Sequence, residues 1–164
     1  MSPIRRNAAI AGYYRQAFKQ YLGGAQPADL EPLRAQPQAE AASGKSARVL
    51  KSASYLSRHL QEVPVHLIPC IEGRVESAGL MAQASLYGSI LPATWSLMLA
   101  LRSRGLGSVW TTLHLAYEGE IATLLGIPPT ITQAALLPVA YFTGDDFKPA
   151  QRKPLQEVTH WDRW

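Results

Sequence analysis

The sequence predicts a domain of the α/β or α+β class, and three observations carry that expectation. Apolar residues recur at offsets of three and four over residues 4–22 and at roughly helical intervals over 46–61, as amphipathic helices require. Two short runs rich in apolar and β-branched residues, 64–71 and 132–142, have the composition of buried strands. Between them, residues 85–112 string a loop, an apolar helix, a glycine turn and a strand into one stretch, around which the remaining chain is organised.

With 164 residues, 47% of them apolar and 17% charged, the chain is long enough to bury one core, and a single domain over 1–164 is expected. No apolar run approaches the roughly 18 residues that span a bilayer, and the N-terminus lacks an apolar signal core, so a soluble cytoplasmic protein is expected. Arg5, Arg6, Arg15 and Lys19 precede the first acid, Asp29; transit peptides share that composition, but a structural amphipathic helix accounts for it. The single cysteine, Cys70, excludes an internal disulfide, fits a reducing compartment, and sits in an apolar run as a buried small hydrophobe would. Net charge is +4, yet the sixteen Lys and Arg are scattered, which suits a small anionic ligand or none better than a nucleic acid.

Taken in order, the first helix places Ile10, Tyr13, Tyr14, Ala17, Phe18 and Tyr21 along one side and stops at Gly23-Gly24. Residues 25–47, with Pro27, Pro32 and Pro37 and little periodicity, read as a surface excursion. The second helix covers 46–61. The strand at 64–71 lies near an edge or bulge because of Pro64 and Pro69, and its His66 reads as a satisfied core histidine. Residues 72–82 turn from loop into helix. Pro92 suits a first helical turn, since its fixed φ fits there and its missing N–H would be unbonded anyway. From Pro92 to Leu101 the helix is apolar on nearly every side, which predicts a central, buried element. Arg102 and Arg104 complement the negative end of its dipole, and Gly105 supplies a left-handed stop. SVWTT has strand chemistry, and residues 117–125 form a short helix closed by Gly126, with Glu118 and Glu120 on a solvated face.

Sites of familiar chemistry are largely excluded. Gly105-Leu106-Gly107 follows a helix instead of opening one and lacks a third glycine, so it is no dinucleotide fingerprint. There is no P-loop lysine motif and no nucleophile elbow, and His59, His66, His114 and His160 have no metal-ligand spacing. An enzyme built this way would rely on a bound cofactor for its chemistry.

Over 63–164, and more loosely back to Ile4, the sequence resembles the nitroreductase family of flavin enzymes. The resemblance rests on the order and spacing of HLQEVPVHLIPCIEG, SLYGSILPATWSLMLALRSRGLGSVWTTLH, EIATLLGIPPTITQAALLPVAYF and RKPLQEVTHWDRW. It implies an α+β fold with helices around a small, mostly antiparallel sheet. It also implies a homodimer that binds FMN at the subunit interface and passes hydride from NADH or NADPH to nitroaromatics, quinones or similar small-molecule acceptors, with no membrane or nucleic-acid partner and no metal. By the same resemblance Ser89, Ile90, Leu91, Pro92 and Ala93 would form a loop along the flavin. Thr111, Thr112 and Leu113 would turn backbone N–H groups to its N5 and O4 edge, and Arg152, helped by Lys153 or Lys148, would hold the phosphate. No catalytic side chain is implied, since the flavin carries the chemistry. Each residue also has a plain reading: Pro92 as a helix start, the threonines as strand residues, Arg152 as a solvated charge. Two features depart from the family. Trp95-Ser96 stands where Gln-Asn is frequent, and the N-terminal R-x-S-x-R and Pro-Ser/Thr-x-x-Asn-x-Gln-Pro-Trp stretches do not occur, so a member incomplete at its N-terminus is expected. The alternative that follows is an inactive remnant serving as a binding or dimerisation module.

Overall fold

The computed structural model describes residues 3–23, 45–144 and 152–164. Helix α1, Pro3–Gly23, has the expected apolar face: Ile10, Ala11, Tyr14, Ala17 and Phe18 are all buried, with Tyr13 packed at their margin. Helix α2, Lys45–His59, runs into a 3₁₀ turn at Leu60–Glu62, whose Leu60 is wholly buried against α1. Of the expected excursion, residues 25–44 lie outside the described residues, whereas 45–47 are already helical.

The expected strand at 64–71 is two strands. β1, Val65–Leu67, and β2, Cys70–Glu72, belong to different sheets. Pro69 explains the break: it has no N–H to continue a ladder, while its carbonyl accepts from the Ala134 N–H at 2.9 Å. The run at 132–142 divides likewise into β4, Ile131–Gln133, and β5, Leu137–Tyr141. β5 lies at the centre of an antiparallel sheet between β1 and a further strand, β3, Leu106–Ser108, with Val139 opposite Val65 on one side and Ser108 on the other. Among the described residues β2 pairs only with β4, in a register that sets Cys70 opposite Gln133. Of SVWTT only its first residue lies in β3; Thr111 rejoins through an isolated bridge to Leu136. The result is an α+β architecture in which residues 132–139 are continuously buried.

The largest correction concerns the central stretch. Helix α3 runs without interruption from Leu80 to Arg102, so Pro92 lies inside it and Ser89–Ala93 is helix and not loop. Nor is α3 buried: Thr94 is its one buried residue, while Trp95, Leu97 and Leu99 are exposed. Because Gly88 and Pro92 do not break it, α3 is also long and apolar enough to cross a membrane by length and composition, which the expectation from run length had excluded. Its end follows expectation, with Gly105 left-handed at φ 75° and the Arg104 side chain donating to the Ala100 carbonyl. Arg102 lies over the Phe142 ring, 4.5 Å from its centroid.

A 3₁₀ turn, Leu113–Tyr117, then leads into α4, Glu118–Leu125. Gly126 at φ 71° closes α4, with the Ile127 N–H donating to the Ala122 carbonyl. Cys70 is exposed and not buried, because β2 is a peripheral strand; its thiol donates weakly to the Ile68 carbonyl at 3.4 Å. A last 3₁₀ turn, Leu155–Glu157, belongs to an exposed segment carrying Val158, Trp161 and Trp164.

Gly107 sits where β3 crosses close to the chain leaving β5: a Cβ there would lie 3.2 Å from the Phe142 Cβ and 3.6 Å from the Ala140 carbonyl oxygen. Gly107→Val is therefore expected to lower stability by about 1–3 kcal/mol, as overpacking does. Urea unfolding monitored by tryptophan fluorescence measures the effect, and an unchanged midpoint would show that the sheet edge yields freely.

Candidate functional site

Of the sequence-predicted positions, Thr111 to Leu113 have the most contacts with the rest of the fold. Thr111 donates its N–H to the Leu136 carbonyl at 3.1 Å and accepts from the Leu136 N–H at 2.8 Å. Its hydroxyl shares a 2.9 Å hydrogen bond with the phenol of Tyr14, a residue only 2% exposed on α1. The amide of Thr111 is thus committed within the fold, which corrects the expectation that it would be offered to a flavin. Thr112 is exposed, and its carbonyl accepts from the Leu115 N–H at 2.9 Å to start the 3₁₀ turn. Leu113 packs at the edge of the core formed by Ile10, Ala11, Tyr14, Leu60, Ile121 and Leu136.

Directly beyond, His114 is completely buried and neither ring nitrogen has a hydrogen-bond partner. Burial pushes its pKa down to about 4 against the opposing pull of the Glu118 charge. The ring is therefore a neutral core side chain. His66 comes closer to the expected satisfied histidine: its Nε2 lies 3.0 Å from the Leu60 carbonyl, although its Nδ1 is unpartnered.

Glu118, expected on a solvated face, is instead the hub of a polar cluster. Arg74 donates to both of its carboxylate oxygens at 2.8 Å, and the Gln133 N–H donates to Oε1 at 3.1 Å. Arg74 also donates to the Ile131 carbonyl at 2.9 Å and pairs with Glu76. The Arg74 hydrogen bonds hold the Glu118 carboxyl below the usual carboxylate range despite partial burial. Glu118 opens α4, so its charge also faces the positive end of that helix. The cluster ties α4 to β4 and to the loop after β2. With His114 sealed from solvent and Glu118 held by Arg74, neither is placed to exchange protons with a substrate.

The other predicted positions stand apart. Ser89, Ile90, Leu91, Pro92 and Ala93 occupy the middle of α3, where Ser89, Pro92 and Ala93 are exposed. Helical pairing there leaves a side-chain surface and not a row of free amides. Arg152 and Lys153 are neighbouring exposed cations on the C-terminal segment, and no described element packs extensively against the turn that follows them; Lys148 lies outside the described residues. Among the described residues no hydrogen bond or ion pair joins the three groups to one another within one chain. Sequence reasoning missed the roles of Tyr14, His114, Arg74 and Glu118. Only helical periodicity marked Tyr14, and nothing in the local sequence pairs residues 74 and 118.

The nitroreductase family model matches residues 5–141. Two solved structures share the fold. One is a nitroreductase-like family protein from Bacillus cereus, with TM-score 0.53 and 20% identity, over 67% of this chain and 57% of that one. The other is a putative NADH dehydrogenase/NAD(P)H nitroreductase from Parabacteroides distasonis, with TM-score 0.50 and 22% identity, over 66% of this chain and 61% of that one. The matched region thus spans about three fifths of each of these proteins. No curated protein matches the sequence.

His114 gives the fold a defined acid response. Its folded pKa of about 4 lies below the ordinary 6.5, so the unfolded chain takes up its proton first. Stability contributed by the neutral ring is complete above about pH 6.5 and is lost as pH falls toward 4, by up to about 3 kcal/mol. His114→Phe, which fills the site without a titratable group, is expected to flatten the dependence of the urea midpoint between pH 6.5 and 4.5. A variant retaining the wild-type slope would assign the response to other groups.

Proposed function

Since the chain belongs to the nitroreductase family, we propose that it is a flavin oxidoreductase that binds FMN, takes electrons from NADH or NADPH, and works as a homodimer. The observation that carries this reading is the family match over 5–141, which takes in every candidate position except Lys148, Arg152 and Lys153. Family membership supports a flavin oxidoreductase type of function; the cofactor, the donor and the acceptor are the finer reading proposed here.

The donor chemistry suits FMN in kind. Pro92 and Ala93 offer an apolar helix surface to a flat ring, Thr112 and Leu113 begin a 3₁₀ turn whose first amides have no partner within the turn, and Arg152 with Lys153 supplies cationic donors for a phosphate. Bound FMN would supply hydride transfer between NAD(P)H and a nitroaromatic, quinone or similar small-molecule acceptor. The protein's part is to hold the ring edge with backbone donors, cover its face with apolar side chains and neutralise the phosphate.

A second copy completes the arrangement in this reading. Helix α3 spans about 35 Å at 1.5 Å per residue, and it exposes Leu80, Met81, Trp95, Leu97 and Leu99 along that length. A surface that apolar is best accounted for by an interface, which would bring the α3 surface of one protomer toward the 111–113 segment of its partner. The single cysteine suits a reducing cytoplasm as the compartment.

Three measurements test the proposal. Mixing the purified protein with FMN is expected to give bound flavin absorbance and quenched flavin fluorescence, and NADH or NADPH oxidation with a quinone acceptor. Arg152→Ala is expected to weaken FMN binding by roughly tenfold to a hundredfold, the loss of a charge-assisted hydrogen bond. Trp95→Glu is expected to shift the sedimentation coefficient from dimer to monomer. A protein that remains colourless with FMN while sedimenting as a dimer would leave only a dimerisation module.

A further inference from the structure

We infer that Tyr14 is a positioning residue for residues 112–113: its phenol fixes Thr111 and thereby presents the next two backbone amides as a rigid pair. The inference rests on the flavin reading above only for what those amides contact.

Packing alone does not explain the Tyr14 hydroxyl. The side chain is 2% exposed in an apolar cluster where a phenylalanine would fill nearly the same space without a polar group to satisfy. The hydroxyl has one hydrogen-bond partner there, the Thr111 hydroxyl at 2.9 Å, across 97 residues of sequence. Thr111 needs that contact more than a residue within a strand would. β3 ends at Ser108, and Thr111 regains the register of the β3–β5 ladder through an isolated bridge to Leu136, the pairing lapsing at Val109 and Trp110 between them. Two backbone hydrogen bonds set its position along Leu136, but both run to that one residue, so by themselves they constrain rotation of the Thr111 chain about it less than a continuous ladder would. The third tie, to Tyr14, is on a different element and limits that rotation.

The far side of the pair is fixed as well. His114 is sealed in the core immediately after Leu113, and the Leu115 N–H returns to the Thr112 carbonyl at 2.9 Å. Residues 112 and 113 are thus stretched between two anchors, with Thr112 facing outward. Backbone held this way loses little entropy when it meets a ligand, and a ligand recognised by main-chain donors gains most from such preorganisation.

The test uses Tyr14→Phe, Thr111→Val, the double variant and a control, Ile121→Val, which trims the same core without touching the hydrogen bond. Hydrogen exchange of the Thr111, Leu115 and Leu136 amides, which are hydrogen-bonded on either side of residues 112–113, is measured in ligand-free protein, and FMN affinity by fluorescence quenching. Tyr14→Phe and Thr111→Val are each expected to speed exchange at these amides and to weaken FMN binding by about three- to tenfold. The double variant should be no worse than either alone, because both remove one interaction. Ile121→Val should lower the melting temperature with no change in either readout. Unchanged exchange and affinity in Tyr14→Phe, with a melting temperature lowered as in the control, would overturn the inference and leave the hydroxyl a stability contact. If the wild-type protein does not bind FMN, the flavin reading fails, and exchange at the Thr111, Leu115 and Leu136 amides by itself decides the role of Tyr14.

Discussion

The packing of α1 across the chain from Thr111 to Tyr117 is the constraint on which the described structure depends. Ile10, Ala11 and Tyr14 supply the helix side of the core, and Leu60, Ile121 and Leu136 meet them from the turn after α2, from α4 and from the run before β5. These residues are remote in sequence, so none of the elements could bury its own apolar face by local folding. The contact is mostly apolar and non-directional, which explains its strength but not its register. Register comes from the few polar ties laid over it: Tyr14 to Thr111, the Asn7 side-chain amide donating to the Val63 carbonyl at 3.3 Å, and the Gln20 side-chain amide donating to the Tyr117 phenol at 2.9 Å. Spread along α1, they fix its sliding and rotation over the core.

A second polar system ties α4 to the small sheet. Arg74 reaches Glu118, Glu76 and the Ile131 carbonyl, so one guanidinium joins the loop after β2, the start of α4 and the small sheet of β2 with β4. The planar, five-donor guanidinium can serve several acceptors at once, which a lysine ammonium on a flexible stem would do less specifically. Thr132 adds a hydrogen bond from its hydroxyl to the Gly73 carbonyl. The two-stranded sheet, too small to be stable by itself, is held by these side chains as much as by its ladder.

Much of the fold was legible in the sequence because it depends on period and punctuation. The buried face of α1, the left-handed stops at Gly105 and Gly126 and the apolar run feeding β5 are local properties, and the structure has them. Strand boundaries were not legible: Pro69 and the stretch 134–136 pass the chain from one sheet to the other, and apolar composition is the same on both sides of that passage. The exposure of Cys70 escaped for a related reason, since an apolar run does not reveal whether its strand is central or peripheral. At the candidate site, family resemblance directed attention to residues 111–113, but the grip of Tyr14 and Leu136 on Thr111 depends on contacts between distant parts of the chain. No sequence pattern encodes these.

Helix α3 shows how a correct local signal can carry a wrong conclusion. Gly88 and Pro92 each weaken a helix, the first through backbone entropy and the second by removing a hydrogen bond and crowding the carbonyl four residues earlier. That carbonyl belongs to Gly88, so the two costs fall on one turn, and on composition alone the helix should stop there. It continues, with the Ser89 hydroxyl donating to the Leu86 carbonyl and the Thr94 hydroxyl to the Ile90 carbonyl on either side of the weakened turn. These bonds go to the Leu86 and Ile90 carbonyls and not to the Gly88 carbonyl, which loses its helical donor at Pro92, so neither they nor propensity nor burial within this chain accounts for a continuous apolar helix facing outward. A long apolar helix with one buried residue is stable in water only if something covers it, and sequences break local helix rules most often where function requires it. The weakened turn of α3 is the same Ser89–Ala93 segment that the family resemblance lays along the flavin. In the flavin reading proposed above, Gly88 and Pro92 mark the part of the helix that meets the ring; in the fold they do not mark the place where it begins.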